Sequence, residues 1–138
     1  METLTTHCLG DDHLRKVLLV EDDDLQLRIR AAILTAAGFE VVTYSRAEDA
    51  LPVITESHKN GHQQSVSVVI TDHLLPGMSG LEFVRHIRAI DQRLPVIVLS
   101  GLPDAHLDYE GLDIVFRQKP CPPADIIDLV RHSFDHAA

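Results

Sequence analysis

Tryptophan is absent from this 138-residue chain, and aromatic residues make up only 4% of it. A packed interior must therefore be aliphatic, and Val, Ile, Leu and Ala bring the hydrophobic share to 45%, ample for one core. Cysteine is almost missing. Cys8 and Cys121 lie far apart and make no metal-spaced pair, and none of the nine histidines sits at ligand spacing backed by cysteine, which excludes a structural zinc site. The two thiols read as reduced groups of a cytosolic protein, although the sequence alone does not close off a disulfide. No apolar run approaches the roughly 20 residues that span a bilayer, and Met-Glu-Thr-Leu-Thr-Thr at the N-terminus has neither the basic start nor the apolar stretch of a secretory signal. Positive charge is scarce as well. Twelve Lys and Arg face 21 Asp and Glu, for a formal net charge of −9, which argues against direct nucleic-acid binding because phosphate contacts need clustered basic groups. Such a balance suits a chain that gathers carboxylates around a cation.

What is present alternates. Residues 1–15 are polar and aperiodic and read as a flexible leader, with residues 16–136 as the single domain. Lys16–Val20 is a short, continuously apolar run, the mark of a strand buried on both faces. Leu25, Ile29, Ile33 and Ala37 then recur at helical spacing up to Gly38. Phe39–Thr43 reads as a second strand. Ser45 and Glu48 form a capping box for a second helix carrying Leu51 and Ile54, which Pro52 should shorten or kink. A polar loop over residues 57–65 leads to a third strand, Val66–Thr71, which delivers Asp72. Ser79 and Glu82 make a second capping box, ahead of Leu81, Val84, Ile87 and Ile90 on one helical face. Val96–Leu99 forms a fourth strand ending at Ser100. A weak helical signal spans Asp104–Tyr109. Ile114–Phe116 is a fifth strand, and after Pro122 and Pro123 a last helix carries Ile126, Ile127, Val130 and Phe134. Five strands alternating with five helices imply an α/β fold with a parallel sheet covered on both faces.

In open α/β sheets, ligands bind beyond the carboxyl ends of the strands. Here the first strand ends in Glu21-Asp22, the third in Asp72, the fourth in Ser100 and the fifth near Lys119. Three carboxylates meeting in one crevice at about 4 Å would repel by roughly 4 kcal/mol per pair at an effective dielectric of 20. The cluster needs a proton, a lysine or a cation, and Mg²⁺ (or Mn²⁺) fits a site of oxygen ligands that must also accept phosphate. Lys119 adds positive charge and Ser100 a hydroxyl, so the set could carry a phosphoryl group on a carboxylate.

Val17–Asp23, Val68–Gly80, Pro95–Gly101 and Lys119-Pro120, each at a strand end and in this order, resemble the receiver domain of two-component response regulators. The resemblance covers about residues 15–135. It implies a flavodoxin-like, doubly wound (βα)5 fold with a five-stranded parallel sheet of order 2-1-3-4-5. It further implies that Asp72 accepts a phosphoryl group from a histidine kinase or a histidine phosphotransfer protein. Asp22, Asp72 and the Leu74 backbone carbonyl would bind Mg²⁺, with Glu21 acting through water. Ser100 and Lys119 would contact the phosphoryl oxygens. Phe116 would be the switch aromatic, moving with Ser100 and reshaping the face of helix 4, strand 5 and helix 5, where a downstream protein or a second copy would dock. The implied role is a cytoplasmic phosphoacceptor that acts on other proteins, not on membranes or nucleic acid, and not an enzyme beyond its own phosphorylation and dephosphorylation. Leu74 and Leu102 occupy positions that tune hydrolysis, and their apolar character suggests slow autodephosphorylation.

Some residues admit plainer readings. Asp23 and Asp24 read as helix-start residues. Phe116 could equally be a core aromatic. His73 and Cys121 stand where the family usually has an apolar residue and an aromatic, and read as a satisfied histidine and a small packing group. The stretch from Ser100 to Lys119 is short and Pro103 interrupts its start, so the fourth helix should be short or irregular. Only 19 residues follow Lys119, so a stand-alone receiver without an output domain is expected, with a fragment of a longer regulator or hybrid kinase as a close variant. A Mg²⁺-dependent phosphohydrolase would carry its nucleophile after the first strand and would need room for a cap. A receiver-like binder that is never phosphorylated would not need the full set of Glu21, Asp22, Asp72, Ser100 and Lys119.

Overall fold

A computed structural model of the protein describes residues 15–60 and 66–137. Five parallel strands form one sheet in the order β2-β1-β3-β4-β5. They are β1 (Lys16–Val20), β2 (Glu40–Tyr44), β3 (Val66–Asp72), β4 (Val96–Ser100) and β5 (Val115–Gln118). Four α-helices connect or follow them among the described residues: α1 (Asp24–Ala36), α2 (Ala47–Asn60), α3 (Gly80–Ile90) and α4 (Pro123–Ala137). Between β4 and β5 stands only a five-residue 3-10 helix, Ala105–Tyr109. The α/β class, the strand order and the irregular fourth helix are as expected, and the count of five helices becomes four and a turn. The expected leader lies outside the described residues except for Arg15, as does Cys8.

The continuous apolar runs make sense on this sheet. Successive side chains of β1 point to opposite faces. Leu18 and Val20 pack with Ala47, Ala50 and Ile54 of α2 and with Phe83, Val84 and Ile87 of α3. Val17 and Leu19 pack with Leu34 of α1 and with Ile126 and Val130 of α4. A strand covered on both sides has no polar position to spare, so β1 shows no alternation.

Three local expectations change. Helix α1 turns inward not on the stripe of Leu25, Ile29 and Ile33 but on Leu27, Arg30, Ala31 and Leu34, leaving Leu25 61% and Ile29 45% exposed. The capping box at Ser45 does not form, because α2 starts at Ala47 and the Glu48 carboxylate turns to Arg46 Nη2 at 3.0 Å, against the Gly77 loop. Pro52 does not shorten α2, which runs 14 residues. It sits on the exposed side, where the carbonyl deprived of its N–H partner can meet water. The helix thereby takes up residues 57–60 of the expected polar loop, whose remainder lies outside the described residues. Elsewhere boundaries shift by one or two residues, with β2 starting at Glu40 and β5 at Val115.

Candidate functional site

The carboxyl ends of β1, β3 and β5 bring five of the expected residues, Glu21, Asp22, Asp72, Leu74 and Lys119, into one open cleft of about 810 Å³. Asp72 closes β3, is 2% exposed, and its successor His73 donates its N–H to the Leu99 carbonyl at 2.9 Å. Glu21 follows β1 directly and is also 2% exposed. Its Oε2 accepts from the Asp23 N–H at 3.0 Å, which turns the chain into α1. Asp23 is the N-cap, accepting from the Gln26 N–H at 3.1 Å, as a helix-start residue should. Asp22, between them, is exposed and faces the cleft.

Gly80, the first residue of α3, lets that helix approach the end of β3. Its N–H donates to the His73 carbonyl at 3.0 Å, and a side chain there would overlap the Asp72 carbonyl oxygen. The Ser79–Glu82 capping box holds the same helix start, with both reciprocal bonds present.

One carboxylate oxygen from each of Glu21, Asp22 and Asp72 lies within 4.8 Å of the others. Three hard oxygen donors this close, one of them open to solvent, fit a divalent cation that keeps part of its water. Lys119 Nζ lies 3.0 Å from Asp72 Oδ1 and 3.8 Å from Glu21 Oε1. Burial pushes the Glu21 carboxyl above its ordinary value, and the adjoining Asp72 side chain adds to this. The Asp23 N–H and the Arg30 guanidinium pull the other way.

Sequence reasoning missed Arg30. From the middle of α1 its Nη1 reaches Glu21 Oε1 at 2.5 Å and Asp72 Oδ1 at 3.3 Å, and the side chain is 9% exposed. The signal was available. Residues 27, 30, 31 and 34 follow helical spacing, and one charged member of an otherwise apolar stripe has to find a buried partner.

Ser100 is buried at the end of β4. Its hydroxyl accepts from the Leu102 N–H at 3.0 Å, and its carbonyl accepts from the Lys119 N–H at 2.7 Å. The serine thus sits beside the lysine through the backbone, with its hydroxyl turned to the next loop. Phe116 is half-buried, its ring centroid 6.1 Å from Tyr109 and 5.8 Å from His106. His73 Nδ1 shares a 2.7 Å hydrogen bond with the Tyr109 hydroxyl, so this histidine is satisfied, as read from the sequence. Burial, with a smaller contribution from Asp108, pushes the Tyr109 phenol above its ordinary range and keeps it neutral. No described helix is long and apolar enough to cross a membrane.

The family model described as the response regulator receiver domain matches residues 17–131. The chain is 30% identical over 123 residues to the uncharacterized transcriptional regulatory protein YbdJ of Bacillus subtilis, a match covering 88% of this chain and 51% of that protein. Among solved structures it is similar to a response regulator receiver domain protein from Clostridium thermocellum, with a TM-score of 0.79 and 28% identity over 89% of this chain and 96% of that one. It is similar also to a response regulator receiver protein from Sinorhizobium medicae, with a TM-score of 0.75 and 26% identity over 90% and 97% of the two chains. The chain spans about half the length of the first curated relatives it matches, 51% and 47%, and 26% of a third.

Proposed function

Because the chain belongs to the response regulator receiver family and is a receiver domain of two-component signalling, we propose that Asp72 accepts a phosphoryl group from a phosphohistidine of a kinase or phosphotransfer protein. The observation that carries this reading is the meeting of Lys119 Nζ with Asp72 Oδ1 at 3.0 Å beside two further carboxylates. An Asp72 oxygen attacks phosphorus, the P–N bond breaks, and the imidazole keeps the electron pair and takes a proton. Lys119 would bind a phosphoryl oxygen that gains charge in the transition state, a role its approach to Asp72 supports. A divalent cation on Asp22, Asp72 and the Leu74 carbonyl, with Glu21 acting through water, would supply further charge neutralisation.

The phosphoryl group brings charge into a site whose neighbours are poised to respond. For Ser100 to reach it, the hydroxyl must leave the Leu102 N–H. That change at the end of β4 stands next to the His73–Tyr109–Phe116 contacts. In this reading, Ser100 and Phe116 convert phosphorylation into a new surface around β5, α4 and the 3-10 helix, a two-state element biased by added charge. The docking partner there is a downstream protein or a second copy of the chain, and the setting is the cytoplasm.

The test is incubation with Mg²⁺ and acetyl phosphate, followed by intact mass. One phosphoryl adduct is expected on the wild-type chain and none on Asp72→Asn. An adduct that survives the substitution, or none on the wild type, overturns the assignment.

A further inference from the structure

Arg30 is the feature of the site that the proposed chemistry does not use. Its guanidinium lies almost fully buried on the inward face of α1, among Leu27, Ala31 and Leu34. An arginine at such a position is tolerated only when paired. Its partners among the described residues are carboxylates of the proposed acceptor site, Glu21 at 2.5 Å and Asp72 at 3.3 Å. Lys119 approaches the same Asp72 oxygen, Oδ1. Three clustered carboxylates therefore face two protein cations, leaving one negative charge uncompensated where lysine alone would leave two.

We propose that Arg30 is a resident counter-cation that competes with the divalent ion for Glu21 and Asp72, so that it sets the ion concentration at which the site loads. The inference rests on the reading that this cluster binds a divalent cation. An ion arriving at these carboxylates meets a full positive charge already seated on two of them. It must either share them, with like charges a few ångströms apart, or displace the guanidinium into the cleft that Arg30 itself lines. Both routes weaken binding. In exchange, the cluster is held together when no ion is present.

The experiment is calorimetric titration of the unphosphorylated chain with Mg²⁺ alone, on wild type and on Arg30→Gln, Arg30→Met and Arg30→Lys, with thermal melts in chelator and in Mg²⁺. The glutamine keeps hydrogen-bonding capacity and the methionine keeps apolar packing, so either one alone suffices if the other does not fold. Removing the positive charge seated on two of the carboxylates that would hold the ion should tighten Mg²⁺ by about tenfold or more in both uncharged variants, while Arg30→Lys stays near wild type. The uncharged variants should melt lower than wild type in chelator and gain more from Mg²⁺, since an ion that binds the folded state more tightly stabilises it more. Equal or weaker Mg²⁺ binding by folded, uncharged variants overturns the inference and leaves the metal site standing. If wild type and variants all fail to bind Mg²⁺ while folded, the metal reading itself fails and the inference falls with it.

Discussion

At the scale of single residues, the site is crowded at its backbone and charged at its side chains, and the two properties give separate predictions. Gly80 has no side chain because α3 begins against the end of β3, and a methyl would overlap the Asp72 carbonyl oxygen and come within 2.9 Å of the His73 Cα. Backbone cannot yield as a flexible side chain does. Gly80→Ala should therefore cost about 1–3 kcal/mol and reduce labelling of Asp72 by acetyl phosphate, and urea denaturation with intact mass reads both effects. Glu21 gives a pH dependence. Its carboxyl is raised above 4.5, first by burial and next by the Asp72 side chain. The native state then holds a proton that the unfolded chain has already lost, so in chelator this group makes stability fall as pH rises from its ordinary value through its raised one. Glu21→Gln has no such proton. Wild type should lose stability relative to the variant over that window and level off above it. Urea midpoints of the two proteins at matched pH measure the difference, and a difference that stays flat, or grows in favour of wild type, contradicts the prediction.

At the scale of elements, the start of α3 is the clearest agreement between sequence and structure. Ser79 and Glu82 exchange bonds at 3.1 and 3.0 Å. Ser79→Ala should cost about 1 kcal/mol in urea, and because this cap holds the loop after Asp72, chelator and Mg²⁺ conditions should both show the loss. The central strands were equally legible, since apolar runs such as Val17–Val20 and Val96–Leu99, flanked by polar and turn residues, are too short for a helix. Two local readings failed for tertiary reasons. The box at Ser45 has the right letters, but Glu48 is drawn to Arg46 and the Gly77 loop, a contact between segments some thirty residues apart in sequence. The face of α1 was misjudged because a stripe of Leu25, Ile29 and Ile33 looks better than one interrupted by Arg30. Hydrophobic spacing ranks the uninterrupted stripe first, and the stripe holding Arg30 becomes the better one only when partners for the charge are sought on β1 and β3. The same blind spot hid Arg30 from the candidate site, whereas Glu21, Asp22, Asp72 and Lys119 were legible because strand ends alone place them.

At the scale of the whole molecule, stability should be unevenly spread across the sheet. In the middle, β1 and β3 are paired on both edges and covered on both faces, with Val17–Val20 and Val68–Ile70 no more than 1% exposed. Toward β5 this protection thins. β5 is an edge strand of four residues, of which Val115, Arg117 and Gln118 are exposed. The segment before it is a single 3-10 turn that buries Ala105 and Tyr109 and exposes Leu107 at 55%. What ties this margin down is polar. Arg88 of α3 donates to the carbonyls of Leu112 at 2.7 Å and Asp113 at 2.8 Å, bracing the approach to β5, and reaches Leu94 before β4 at 2.7 Å. Regions with few buried apolar contacts open locally at a fraction of the global free energy. Amide hydrogen exchange should thus be slowest at β1 and β3 and markedly faster over residues 102–118. Arg88→Met should speed exchange over that margin by tenfold or more if about 1.4 kcal/mol of local bracing is lost, with little change at β1. Uniform acceleration across all five strands would mean that the margin and the centre open as one unit. The face proposed to respond to phosphorylation would then have no local freedom, and any shape change at Phe116 would have to be transmitted through the whole sheet.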